Sequence, residues 1–426
     1  MAGQTTSSGS GQHEDLAHYE GPALTLGAAL DEALARNPEL IEGRADLGVK
    51  RERPAQQRSL APPMLDASIW QWPVNTLNPA NTNMYMFTAT QELPGRGKRE
   101  LRATVAEKDV AAAENDIDVR ARRVGNAVKQ AYAELFISRK AIEIHLASAD
   151  LLRQVADVSQ AKYTAGRTSQ QDVLKGIVEL SRMHEDIIRL DQRAKIATAR
   201  LNTLLDRPID SLIGPLGEPH ESTVLPPIAD LQRQALEQQP EIRGAQIAVA
   251  RAEAELAVVR GDRKPDFTVQ AGYQVMPQQT DAFLARVGIT WPDAPWSRGR
   301  VDARVREAIA GVDAARASQK ATENALRFSV QEAYLRAKAA EERAALLRST
   351  IVPQSEQVLE VARIAYQADR GDFLALLDNE RVLLDAQLGY YETLAEFEQA
   401  MADLERAVGT EVFPDMSHVV NREHRP

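Results

Sequence analysis

The chain repeats itself: six local signatures return in the same order about 200 residues apart, so whatever fold the first half adopts must be adopted again by the second. Asn37-Pro38-Glu39-Leu40 is echoed by Gln239-Pro240-Glu241-Ile242, each opening an Ala-, Arg- and Glu-rich helical segment. Pro63 leads into Leu65 to Trp72, as Pro265 leads into Phe267 to Val275. Pro94-Gly95-Arg96-Gly97 matches Pro295-Trp296-Ser297-Arg298-Gly299, and Ala131-Tyr132 matches Ala333-Tyr334. Tyr163, Gly166, Asp172, Val173 and Leu174 pair with Tyr366, Gly371, Leu376, Leu377 and Asp378, and Leu201 and Leu404 stand near the two closing ends. The resulting division is a tail over 1–22, a first repeat over 23–222, a second over 223–412 and a tail over 413–426.

Each repeat reads as helix, strand, loop, strand, long helix, turn, long helix. In the second, Phe267, Val269, Ala271, Tyr273 and Val275 alternate with Thr268, Gln270, Gly272 and Gln274, a two-faced strand. Phe283, Ala285, Val287, Ile289 and Trp291 repeat the pattern against Arg286, Gly288 and Thr290. The first repeat supplies Leu65 to Trp72 and Tyr85 to Leu93, but Trp70 and Trp72 lie opposite Leu65 and Ile69. Between Gly97 and Tyr163 there is no proline, so one helix of about 100 Å is expected. Its apolar positions, Val124, Val128, Ala131, Leu135, Ile142 and Leu146, follow the narrow seam of a coiled coil. Leu384, Leu388, Tyr391, Leu394, Phe397, Met401, Leu404 and Val408 do the same near the C-terminus.

Composition removes several functions. The net charge of -10 and the lack of a basic patch speak against nucleic acid as a partner. Without cysteine there is no disulfide, thiolate metal site, cysteine nucleophile or acylated N-terminal cysteine. The seven histidines are scattered and no HExxH, G-x-S-x-G, Walker or Rossmann signature occurs, so neither an enzyme nor a cofactor is expected. His184-Glu185-Asp186 cannot converge on one helix face, and His184 reads instead as a contact on the series Val173, Ile177, Leu180, Ile187. The group His13-Glu14-Asp15 with His18 belongs to the polar N-terminal tail, so no metal site is expected. That tail shows neither a basic n-region nor an apolar h-region, and no run is apolar enough for a membrane helix.

Four strands of about 8 to 10 residues have the length of tilted membrane-crossing β-strands, yet four cannot close a barrel. An open sheet in lipid leaves edge amides unsatisfied, so the strands must be pooled between chains, and three chains give twelve strands. A small soluble β-layer on helices would use the same strands. The four tryptophans, Trp70, Trp72, Trp291 and Trp296, gather in or beside the strands with Tyr85, Phe87, Tyr273 and Phe283, as an interface girdle requires. Phe267, Val269, Tyr273, Phe283, Val287, Ile289 and Trp291 are therefore the candidate lipid face, and Thr268, Gln270 and Gln274 the lumen face.

The sequence resembles the TolC-type family of outer-membrane efflux ducts. The resemblance is carried by TLGAALDEALARNPEL (Thr25 to Leu40), QELPGRGKRELR (Gln91 to Arg102), YTAGRTSQQDVLKGIVEL (Tyr163 to Leu180), KPDFTVQAGYQ (Lys264 to Gln274) and YQADRGDFLALLDNERVLLDAQ (Tyr366 to Gln387). It spans about residue 24 to about residue 412, and the Leu-Pro-Gly-x-Gly-Lys-Arg run resembles the branch serving heavy-metal cation pumps. The resemblance implies a mainly α homotrimer with a small β part: a twelve-stranded barrel, four strands per chain, continuing into a duct of long coiled-coil helices. It also implies an outer-membrane location, a periplasmic adaptor and an inner-membrane proton-driven pump as partners, and passive export of metal cations or small toxic compounds. A soluble coiled-coil scaffold is the alternative that the missing signal segment favours.

In such ducts the periplasmic tip is where paired helices turn back. Tyr163, Gly166 and Asp172 match the first turn and Tyr366 and Asp378 the second, with Ala375 where many relatives carry an aspartate and the glycine displaced to Gly371. Gate candidates are Asp378, Asp372 and Asp172, with Arg167 or Arg370 as bridges. Three like carboxylates on an axis repel one another and favour cations. Ordinary solvated turn residues would look the same.

Overall fold

The structure, a computed structural model, describes residues 19–70, 74–75, 78, 81–218, 225–277 and 279–410. The expectations for Trp72, for the His13 to His18 group and for both terminal tails apart from Tyr19–Pro22 lie outside these residues. The first half gives helices α1 (Leu26–Arg36), α2 (Pro38–Arg51) and α3 (Arg53–Arg58), strands β1 (Met64–Trp70) and β2 (Met84–Leu93), and helices α4 (Lys98–Thr164) and α5 (Gln170–Leu204). The second half gives α6 (Ile228–Gln238), α7 (Pro240–Gly261), β3 (Asp266–Val275), β4 (Ala282–Thr290), α8 (Arg298–Leu346), a π-helical turn (Leu347–Ile351), α9 (Val352–Gln367) and α10 (Phe373–Val408). Among the described residues no helix is long and apolar enough to cross a membrane.

The proline-free stretch is one helix of 67 residues, as its sequence predicts. The breaks between α1 and α2 and between α6 and α7 are set by the residue before a proline, which steric clash pushes out of the helical region. Asn37 takes ψ 126 before Pro38, and Gln239 takes ψ 124 before Pro240. Each of these amides then satisfies a helix end. Asn37 Nδ2 donates to the Leu204 carbonyl of α5 at 3.0 Å, and Gln239 Nε2 to the Arg406 carbonyl of α10 at 2.5 Å. The two halves thus share a hydrogen bond as well as a motif.

The chain divides into two compact units, and each half contributes to both: Met1–Ile41, Val119–Gln239 and Ala325–Pro426 form one, Glu42–Asp118 and Pro240–Asn324 the other. In the first, α5 buries Val173, Gly176, Met183, Ile187, Ala194, Ala197 and Leu201, steps of three, four or their sum, which define a heptad seam. The expected series needs correcting here. Ile177 is exposed and His184 is half-buried, because the seam passes through Gly176, over which Phe373 packs, and through Met183. The expected narrow seam of α4 also fails between 131 and 145. There Ala133, Ile137, Ala141 and Ile144 are buried beside Ala131, Leu135 and Ile142, so α4 is covered on more than one side over this stretch.

The second half's seam runs Leu326, Val330, Ala333, Ala337, Ala340, Ala344, in alternating steps of four and three, and resumes at Ser355, Leu359 and Tyr366. Ala333-Tyr334 stands 202 residues after Ala131-Tyr132, whereas Tyr366 stands 203 after Tyr163, so one extra residue lies between. The π-helical turn Leu347–Ile351 falls in that interval. Its wider turn absorbs a single insertion.

In the other unit the four strands form one antiparallel sheet in the order β1-β2-β3-β4. Strand β2 meets α4 at a tight corner: Gly95 N donates to Asp266 Oδ1 at 2.7 Å, and Lys98 Nζ lies 2.8 Å from the same carboxylate. A Cβ on Gly95 would meet the Pro265 carbonyl at 2.5 Å, which excludes any other residue there. The Lys98 side chain is only 3% exposed. Asp266→Ala would strand that ammonium and is expected to cost about 3 kcal/mol. Lys98→Met costs less, because Asp266 retains solvent access; denaturation followed by circular dichroism ranks the two.

Candidate functional site

The sheet has one apolar and one polar face, and its register makes the division continuous across all four strands. Phe267, Val269, Ala271 and Tyr273 of β3 stand opposite Ile289, Val287, Ala285 and Phe283 of β4. On the other side, Leu93, Ala89, Phe87 and Tyr85 of β2 pair with Phe267, Ala271, Tyr273 and Val275, and Leu65, Ala67 and Ile69 of β1 complete the face. Gln91 is the polar member of this set. The opposite face carries Asp66, Ser68, Thr88, Thr90, Thr268, Gln270, Gln274, Arg286 and Thr290.

Exposure runs contrary to a soluble layer. The apolar side chains are the uncovered ones: Leu65 is 77%, Phe283 89%, Val287 74% and Ile289 62% exposed, whereas Thr268, Gln270 and Gln274 are half-buried. Residues expected to face lipid therefore share one open surface, and Trp291, which follows β4, is exposed as well. Trp70 pairs with Met84 and lies on the polar face, as the alternation of β1 predicts. Tyr273 and Phe283 pack ring to ring at 5.4 Å, and the Tyr273 hydroxyl donates to Asp281 at 2.5 Å, closing the β3–β4 end. Both outer strands, β1 and β4, keep an edge that no described strand of this chain pairs.

The helical unit carries the two turns. At the first, Gly166 adopts φ 70, with Arg167 N donating to the Lys162 carbonyl at 2.8 Å. At the second, the left-handed residue is Asp369 at φ 56, with Arg370 N donating to the Ala365 carbonyl at 2.9 Å. Both are helix caps of the αL kind. Asp369, not Gly371, thus stands where the first turn has glycine. Gly371 is needed for room: a Cβ there would sit 2.8 Å from the Tyr366 amide nitrogen.

Asp369 also joins the turns. Its carboxylate accepts from Lys162 Nζ at 2.7 Å and Arg167 Nη1 at 3.2 Å, while Lys162 stacks over the Tyr366 ring at 4.1 Å. The Lys162 ammonium hydrogen bond is the main reason its carboxyl is held below the usual range. Neither Asp369 nor Lys162 stood out in sequence, since the contact spans 200 residues. Arg167 is thus brought to an aspartate other than Asp378 or Asp372. Asp172 is half-buried in the first turn of α5, its carboxylate accepting from the Thr168 hydroxyl at 2.6 Å and its amide donating to the N-cap Ser169 hydroxyl at 3.3 Å. Asp372 is exposed at the N-cap of α10, and its side chain makes no capping bond.

Asp378 is exposed and lines a groove of about 930 Å³ between α5 and α10. Leu174, Val178, Leu374 and Ala375 form its apolar part, with Lys175, Glu179, Arg182 and Arg381 around them. A second tie crosses the groove: Arg381 Nε donates to Glu179 Oε1 at 2.8 Å, and its Nη2 to the other oxygen. Among the described residues no group of three or more His, Cys, Asp or Glu could hold a metal ion.

Comparison with known proteins agrees with this geometry. The family model for outer membrane efflux protein matches residues 29–207 and 231–410, one stretch in each half. The cobalt-zinc-cadmium resistance protein CzcC of Cupriavidus metallidurans is 25% identical over 396 residues, covering 91% of this chain and 90% of that protein. The outer-membrane channel OprN superposes with a TM-score of 0.76 at 22% identity, over 90% of this chain and 89% of that one. CusC gives 0.77 at 15% identity over 92% and 95%, and VceC of Vibrio cholerae 0.74 at 19% over 91% and 97%. At such identities these structures testify to the fold. With both halves matched by the family model, the chain belongs to the outer membrane efflux protein family and is an outer-membrane channel of an efflux system, not a soluble coiled-coil scaffold.

Proposed function

We propose that three copies of this chain pool their hairpins into a twelve-stranded barrel whose apolar face meets lipid and whose polar face lines a passive duct. The observation that carries this reading is the apolar face that runs over all four strands with Gln91 as its one named polar member, bounded by two open edges. Four strands alternate in direction, so β4 of one copy meets β1 of the next antiparallel, and the ring closes with every edge amide paired. Chemistry has no part in such a duct. A periplasmic adaptor and an inner-membrane proton-driven pump deliver the cargo, and the relative named for cobalt-zinc-cadmium resistance supports metal cations as that cargo.

Under three-fold symmetry Asp378 and Asp372 each occur three times, which supports a carboxylate ring that favours cations. Arg167 is committed to Asp369, so Arg370 is the bridge available to that ring. The test is a planar-bilayer recording of detergent-extracted protein. A trimer that conducts ions is expected, and a water-soluble monomer or dimer would sink the proposal. Asp378→Ala should reduce cation over anion permeability; unchanged selectivity removes Asp378 from the gate.

A further inference from the structure

One buried acid in the helical unit is used by nothing described above. Glu380 of α10 is 4% exposed and its Oε2 is buried with no hydrogen-bond partner. Apart from Arg363 of α9 its surroundings are apolar: Leu151, Leu152 and Val155 of α4, Leu359 of α9, and Leu376 and Leu377 of α10 line the small cavity beside it. Leu152, Leu359, Leu376 and Leu377 belong to the cluster that packs α4, α5, α9 and α10 together. An unpaired carboxylate is costly in such a place, and a neutral carboxyl is not.

The charged groups around it are few. From α5 comes Glu179, whose own carboxylate is held by Arg381 and lies 3.6 Å from Arg182 Nη1. From α9 comes Arg363, turned toward Glu360 at 2.8 Å with its Nε buried and unbonded. Asp385 and Arg381 act from α10 itself, and α4 offers only leucines and a valine to the cavity. Arg381, the link between α5 and α10, is thus the guanidinium that acts on both carboxylates, with Arg182 beside Glu179 and Arg363 lining the Glu380 cavity.

We infer that Glu380 and Glu179 form a proton-operated clasp between the two helical hairpins, α4–α5 and α9–α10. With Glu380 neutral, Arg381 serves Glu179 alone and the hairpins stay joined. When Glu380 loses its proton to water, its carboxylate repels Glu179 and competes for Arg381, and the tie across the groove weakens. Burial, chiefly, and then the Glu179 charge push the Glu380 carboxyl up to about 7 from its ordinary 4.5, with Arg381 opposing. The folded state therefore holds this proton more tightly than the unfolded chain does. The packing it supports is complete below the ordinary carboxyl value and is lost as pH rises through about 7.

The inference concerns contacts within one chain and does not rest on the duct. Because the chain has no cysteine, Gln171→Cys on α5 and Ala375→Cys on α10, both exposed, can carry spin labels without background. Distances would be measured on the full chain in detergent, diluted with unlabelled chain, across the range from about pH 5 to about pH 9. A single short distance is expected at the acidic end, giving way to a longer, broader distribution with a midpoint near 7. Glu380→Gln should hold the acidic distribution throughout, and Glu179→Gln, which removes the tie to Arg381 itself, should give the longer, broader distribution at every pH. A wild-type distribution that ignores pH, a step that survives Glu380→Gln, or a short acidic distance that survives Glu179→Gln would each overturn the clasp.

Discussion

Val287→Arg should abolish assembly in the outer membrane, while Thr268→Arg should leave it intact. Val287 lies in the middle of β4 on the apolar face, opposite Val269, and is 74% exposed in the single chain. An arginine at the bilayer midplane costs about 2–4 kcal/mol on a barrel's lipid face, and a trimer meets that cost three times. Thr268 neighbours Val269 but points to the other face, where β4 already carries Arg286 opposite Gln270. Thr268 pairs with Gly288, the neighbour of Val287, so the two arginines stand at nearly the same depth on adjacent strands and differ in the face they enter. Membrane fractionation and trimer retention on mild gels would be read together, with Val287→Leu as control. Equal insertion of the two arginine variants would show that the apolar face is not the lipid face.

The second large effect is expected at Arg381→Ala. Glu179 keeps only 11% of its side-chain surface open, and Arg381 supplies both of its short hydrogen bonds. Removing one partner of such a pair leaves a buried charge uncompensated, about 3–5 kcal/mol in general. The lower end applies here, because Arg182 stays within 3.6 Å. Glu380 would lose the cation that opposes the upward push on its carboxyl as well. We expect a lower melting temperature for the helices and larger, longer openings in bilayer recordings. Arg381→Lys should recover part of the loss, since an ammonium keeps the charge without the two-pronged geometry. Full stability in Arg381→Ala would mean that the tie contributes nothing.

Much of this was legible in the sequence, and for identifiable reasons. Strands with period-two alternation were found to within about two residues, because Phe267 to Val275 and Phe283 to Trp291 carry a signal that no helix would tolerate. The 67-residue helix was legible from the absence of proline. What escaped notice depends on pairing across the chain. Ile177 seemed a better seam residue than Gly176 by hydrophobicity alone, and only the approach of Phe373 reverses the ranking. Arg167 was expected to serve Asp378 or Asp372, but the left-handed turn puts Asp369 in its path instead. Glu380 carried no signal at all, being one glutamate among many on a helix until four helices surround it.

The π-helical turn at Leu347–Ile351 has a further meaning for the history of the chain. An ordinary insertion would rotate everything beyond it by about 100° and turn the seam to solvent. Beyond the turn Ser355, Leu359 and Tyr366 are still buried, so the extra residue changed length without turning the seam to solvent. The two halves repeat one pattern without keeping one length, and one of the places where they differ is visible as a single loose turn.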